Sequence, residues 1–196
     1  MQDARKAPVV SGIIDFRTPA AGFDQPIEMW LACHERILRM LALLIRLRDH
    51  LTDSGAIESA QVTAASIRRY FEEAVPRHHE DEEGDLFPRL LNQLEGVERM
   101  RIGPVLDALR DEHPLLDRAW AELRPTLTAI EAGTERRLDD HAVVHFVTIY
   151  RQHVERENEL LAPAFERVFD GTTLEAIGRA MAGRRGVNWE ELRARK

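Results

Sequence analysis

RHHEDEEGDLFPRL, Arg77 to Leu90, places an imidazole and a carboxylate four residues apart at His79 and Glu83, then adds Leu86, Phe87 and Pro88. At 3.6 residues per turn, positions four apart share a helix face about 6 Å apart along the axis. Side chains so placed can reach one metal ion or two adjacent ones. A second copy lies downstream in HVERENELLAP, with His153, Glu157, Leu160 and Leu161. Two such pairs, each followed three residues on by an apolar anchor, are poorly explained by chance. His78 and Glu82 form a competing pair, rotated about 100° from the first. Leu86, at i+7 from His79 and i+3 from Glu83, favours the His79–Glu83 register and leaves Glu80, Asp81 and Glu82 as a solvated acidic face.

Working outward, the second helix spans about Ser59 to Leu94, with Ile67, Phe71 and Val75 on the same face as His79. Pro76 should kink it, since proline lacks the N–H and crowds the preceding turn, and Pro88 should end or bend it again. The first helix runs from about Pro26 to Leu51, capped by Asp24, with His34 inside the stripe Trp30, Ile37, Leu38, Leu41, Ile45. The third runs from about Gly103 to Glu131. There His113 is the single imidazole in a run of Leu106, Leu109, Leu116, Trp120, Leu123 and Leu127. Asp117 follows it by four residues, and Pro114 and Pro125 should kink the helix. The fourth runs from about Leu138 to Phe169, with Ala142, Phe146, Ile149, His153, Leu160, Ala164 and Val168 on its face. His50, His141 and His145 sit toward helix ends and read as outer residues. A short fifth helix, Leu174 to Met181, precedes a WEEL segment whose Trp189 can dock on the rest.

This pattern is all-α: sequential helices with connections of roughly eight to ten residues suit an antiparallel up-down bundle. We expect an irregular N-terminal arm over 1–25, the bundle over 26–170 and a helical tail over 171–196. The formal net charge of −7 disfavours nucleic acid as a partner. The basic residues Arg184, Arg185, Arg193, Arg195 and Lys196 read as a solvated terminus. Arg39 and Arg46 interrupt the greasiest run, ILRMLALLIRL from Ile37, which is too short for a membrane span. Cys33 is the single cysteine, so no internal disulfide forms. With no secretory signal visible, the reading is cytoplasmic.

Four helices thus each carry one histidine on the apolar stripe, His34, His79, His113 and His153, and two add Glu83 and Glu157. Buried carboxylates without partners are costly, and a metal would neutralise them while tying the helices together. Imidazole with carboxylate suits iron, manganese or zinc, and the lack of cysteine ligands argues against a thiolate zinc site. Six ligands exceed one tetrahedral ion and fit two, with the glutamates bridging and positions left for a small molecule.

The stretches ACHERI, HEDEEGDLFP, EHPLL and HVERENELLAP, over about Pro26 to Phe169, make the chain resemble the hemerythrin-like (HHE cation-binding) domain family. The resemblance implies a four-helix bundle holding two non-haem irons, with terminal histidines and bridging glutamates. It implies a small ligand such as dioxygen or peroxide, and a protein that binds, senses or handles oxygen, peroxide, nitric oxide or iron. A di-iron oxidase or peroxidase-like enzyme and a zinc- or single-ion-stabilised interaction module stand as alternatives. The sequence leaves the protein partner open. It departs from the oxygen-carrying hemerythrins on the third helix, where those have two histidines four apart and this chain has His113 and Asp117. Reversible oxygen carriage is therefore not the expectation.

Overall fold

A computed structural model describes residues 21–53 and 57–194. The arm expected over 1–25 falls, for residues 1–20, outside the described residues, as does Gly55. All regular structure among the described residues is helical. The first rod is α1 (Pro26–Asp53). The second is built in pieces: α2 (Ile57–Arg69), a π turn (Tyr70–Ala74), α3 (Val75–Asp81), a second π turn (Glu82–Leu86) and α4 (Phe87–Gln93). The third is α5 (Gly96–Glu131), and the fourth is α6 (Asp140–Leu160) followed by α7 (Ala162–Val168). The tail forms α8 (Gly171–Arg184) and α9 (Trp189–Ala194).

The four rods touch in a ring: α1 meets α2 and α6, and α5 meets α2 and α6. Their apolar stripes enter two separate clusters. One holds Ile37, Leu41, Leu44, Ile67, Phe71, Leu116, Leu123, Phe146 and Tyr150. The other holds Trp30, Leu86, Leu90, Ile102, Leu109, Leu161, Phe165 and Ile177. Each buried aliphatic or aromatic side chain contributes about 1.5–3 kcal/mol relative to exposure, so both clusters stabilise the rods on either side of whatever lies between them.

Local chemistry fixes the ends. Asp139 caps α6 by accepting from the Ala142 N–H at 2.8 Å, and Asp170 caps α8 by accepting from Thr173 N–H at 2.7 Å. Gly133 closes α5 at φ 73°, with the Thr134 N–H bonded back to the Ala129 carbonyl at 2.9 Å. The third helix begins at Gly96 rather than near Gly103, with only Leu94 and Glu95 between it and α4. Pro104, Pro114 and Pro125 are all carried within it. No described helix is long and apolar enough to cross a membrane.

Candidate metal centre

Each long rod interrupts its apolar stripe once, at the same level. His34 follows Trp30 on α1, His78 and His79 lie in the last turn of α3, His113 sits between Leu109 and Leu116 on α5, and His153 follows Tyr150 on α6. All five imidazoles are buried, and Glu82 and Glu157 are fully so, at 0% exposure. They form two groups whose donor atoms lie close enough to hold an ion each: His79, Glu82, His113 and His153 in one, His34, His78, Glu82 and Glu157 in the other.

The carboxylates join these groups. Glu82 Oε1 lies 3.1 Å from His78 Nε2 and 3.7 Å from His34 Nε2, while its Oε2 lies 3.4 Å from His113 Nε2. Glu157 Oε2 lies 3.2 Å from His34 Nε2, and its Oε1 lies 3.4 Å from His153 Nε2. Each glutamate therefore turns one oxygen to each set of histidines.

Outer acceptors orient three of the rings. His34 Nδ1 meets Asn158 Oδ1 at 2.7 Å, His113 Nδ1 meets Glu83 Oε1 at 2.6 Å, and His153 Nδ1 meets Glu112 Oε2 at 2.9 Å. An Nδ1–H donated outward leaves the Nε2 lone pair aimed inward, which is the tautomer a metal requires. Glu112 is itself held by Arg156. Trp30 Nε1–H donates to Glu82 Oε1 at 2.7 Å. Tyr150 Oη stands 3.2 Å from His79 Nε2, a buried contact between the site and the neighbouring apolar cluster.

The donor set fits a cation on a test internal to the protein. His34 Nε2, His113 Nε2, His153 Nε2, Glu82 Oε2 and both Glu157 oxygens are buried without a hydrogen-bond partner. Native interiors leave only a few such atoms unpaired per hundred residues, scattered through the fold, whereas these six converge on one place. Without a cation the cluster redistributes protons. Burial pushes His34 down, but Glu157 and Glu82 outweigh it and hold the imidazole up at about 10. Burial likewise opposes the charged form of His113, and Glu82 and Glu83 raise it to about 9. Burial dominates at His78, which falls to about 3, and at His79, which also falls well below its ordinary value. Glu82 resists its own burial because His78, His113 and His34 surround it, and it stays ionised well below the usual range. Burial and the neighbouring Glu82 raise Glu157.

Residues 25–165 match the family model of the hemerythrin HHE cation-binding domain. The chain belongs to the hemerythrin HHE cation-binding family. An uncharacterized protein of Haemophilus influenzae is 29% identical over 167 residues, covering 85% of this chain and 94% of that one.

Among the residues expected to form the centre of this HHE domain, the fold brings together His34, His79, His113, His153 and Glu157. It leaves Glu83 outside. Glu83 is 43% exposed and supports His113 from behind, and Glu82, expected on a solvated face, stands between the histidine sets instead. The π turn over Glu82–Leu86 is the reason: the choice of Glu83 rested on its spacing to Leu86, and the wider winding between them breaks that spacing, while His78 to Glu82 keeps the ordinary four-residue step. Asp81, expected to be solvated with it, is also buried. His78 and Glu82, the competing pair in the sequence, are thus the pair that faces inward together. Asp117 is exposed and lies outside both groups. The imidazole beside His113 is His79, stacked on it at 3.9 Å between centroids and 5° from parallel. The nitrogen that Asp117 does not offer from the third rod is thus offered from the second. His141 and His145 are exposed.

Proposed function

We propose that the chain folds as an antiparallel up-down four-helix bundle around a carboxylate-bridged pair of non-haem iron ions, and that it uses them to bind or sense a small oxidant such as dioxygen, peroxide or nitric oxide. One observation carries this reading: Glu82 and Glu157 each direct one oxygen to His34 or His78 and the other to His113 or His153. That arrangement serves two ions better than one. Five imidazole nitrogens with two carboxylates, and no thiolate, suit iron among the common metals, with manganese or zinc as competitors. The ring of contacts among the rods, together with the family match, supports the bundle.

Bound iron would supply one-electron chemistry toward the small ligand. The protein's own part is to hold and exclude. Asn158, Glu83 and Glu112 fix the imidazoles, Trp30 orients Glu82, and burial of every donor restricts access to small molecules. Metal analysis of protein purified from iron-supplied cells, with optical spectra before and after reduction, tests the reading. Two irons per chain and a near-ultraviolet charge-transfer absorption that reduction bleaches are expected. Stoichiometric zinc with no such absorption would overturn it.

A further inference from the structure

The tail was expected to present its arginines to solvent, yet α8 lies against α1, α3 and the second π turn. Arg184 and Arg185 are only 23% and 17% exposed. Their partners are acids flanking Glu82. Asp81 accepts from Arg184 Nη1 at 3.0 Å and from Arg185 at 3.1 and 2.6 Å, and Asp85 accepts from Arg184 Nη2. Arg185 Nη1 also donates to the Met181 carbonyl at 3.0 Å, which ties the guanidinium to its own helix. Both aspartates are buried, Asp81 at 1% exposure.

Gly84 supplies the space. A Cβ there would meet Arg184 Nη2 at 2.6 Å, so any larger residue would displace the guanidinium from the slot between Asp81 and Asp85. Gly84 and Asp85 lie on the second π turn with Glu82, and Asp81 immediately precedes it. The matched family domain ends at residue 165, whereas α8 begins at Gly171. The clamp therefore reaches in from outside the domain that carries the site.

We infer that α8 is a positioning device for the centre: Arg184 and Arg185 grip Asp81 and Asp85 and thereby hold Glu82 between the two histidine sets. The inference rests on the two-ion reading above. Its mechanism is geometric. A π turn winds with i→i+5 bonds and departs from the regular α-helical register, so the direction of Glu82 depends on how the residues flanking it are held. Paired guanidinium–carboxylate bonds hold direction as well as distance. Loss of the clamp should weaken the ion pair more than it weakens the fold.

The test is an anaerobic titration of the full chain with ferrous iron against a competing chelator, with the spectrum recorded after oxidation. Arg184→Met and Gly84→Ala attack one contact from its two sides, the second without changing any charge. Each should weaken binding of at least one of the two ions tenfold or more and alter the oxidised spectrum, with the far-ultraviolet circular dichroism unchanged. The double variant should be no weaker than the weaker single, because both remove the same contact. Arg184→Lys, which keeps the charge but not the two-armed grip, should fall between wild type and Arg184→Met and remains informative if either other variant fails to fold. Arg179→Met, on the exposed side of the same helix, should behave as wild type. Wild-type iron affinity and spectrum in Arg184→Met and Gly84→Ala would overturn the clamp while leaving the centre standing. A wild-type chain that binds no pair of ions would overturn both.

Discussion

Glu82 and Glu83 are adjacent and chemically identical, and only the wall of the turn separates their fates. Glu82 is fully buried against three imidazoles, while Glu83 is 43% exposed and touches the back of one. Glu82→Gln should therefore cost the protein at least one of its two ions. Glu83→Gln, whose amide oxygen still accepts from His113, should change occupancy little, and Glu83→Ala should weaken affinity about 10–100-fold, as loss of an outer partner to a metal-bound histidine does. Metal content after gel filtration separates these outcomes, and equal losses from Glu82→Gln and Glu83→Gln would return Glu83 to the centre. The histidines also make a prediction about pH for the metal-free protein. His34 at about 10 and His113 at about 9 stand above the 6.5 of an ordinary imidazole. Below pH 6.5 both folded and unfolded states carry these protons, and the stabilisation is complete. Above it the unfolded chain releases them first, so stability falls as pH rises through 9 to 10. Urea denaturation of chelated protein should show a lower midpoint at pH 9.5 than at pH 6.5. Metal-loaded protein, whose ring nitrogens hold the ion rather than a proton, should lack that loss.

At the scale of single helices, the sequence revealed existence and facing better than winding. The stripes of α1, α5 and α6 follow 3.6-residue spacing without interruption, so His34, His113, His153 and Glu157 could be placed from periodicity. The second rod could be read that way through Phe71, Val75 and His79, but not into the turn that begins at Glu82. Its π turns bond Val75 N–H to the Tyr70 carbonyl and Phe87 N–H to the Glu82 carbonyl, one residue further back than an α-helix does. Pro76 and Pro88 each follow directly, where a wider turn relieves the clash of the ring with the carbonyl four residues before. Proline alone is no marker for this, since α5 carries three within a continuous helix. Gly84 was the better clue, and its meaning depends on Arg184, a hundred residues away. The starts of α6 and α8, by contrast, are governed by nearby side chains, Asp139 and Asp170. Asp139→Ala removes the acceptor for Ala142 N–H and should cost about 1 kcal/mol of stability with metal content unchanged. Denaturant titration of the loaded protein measures it, and a loss of metal would mean that the cap also sets the orientation of α6 at His153.

Across the whole molecule, the polar layer lies between two apolar clusters that do not merge. Going along each rod, one passes from Trp30 through His34 to Ile37, from Val75 through His78, His79 and Glu82 to Leu86, and from Leu109 through His113 to Leu116. Four stripes each broken at one level were visible in the sequence. The packing of the tail was not, because arginines near a chain end look the same whether they meet water or a buried Asp81. A layer of this kind is held in the metal-free state by charge shared among histidines and glutamates at 3.1–3.7 Å, and six of its atoms make no well-formed hydrogen bond. An ion pair would replace the protons of that layer and bind the folded state alone, since the donors come from four rods that unfolding separates. At a free metal concentration of 100 times Kd, this linkage adds about 2.7 kcal/mol. For a chain of this size that raises the melting temperature by roughly 5–11 °C. Chelation should therefore lower the melting temperature by that order, and hydrogen exchange should quicken most at the backbone amides of the second π turn and its flanks, residues 78–87. The apolar clusters at either side should keep more of their protection. Complete metal removal with no change in the melting curve would place the binding site away from the junction of the rods, and uniform loss of protection would mean that the two clusters fold and unfold as one body.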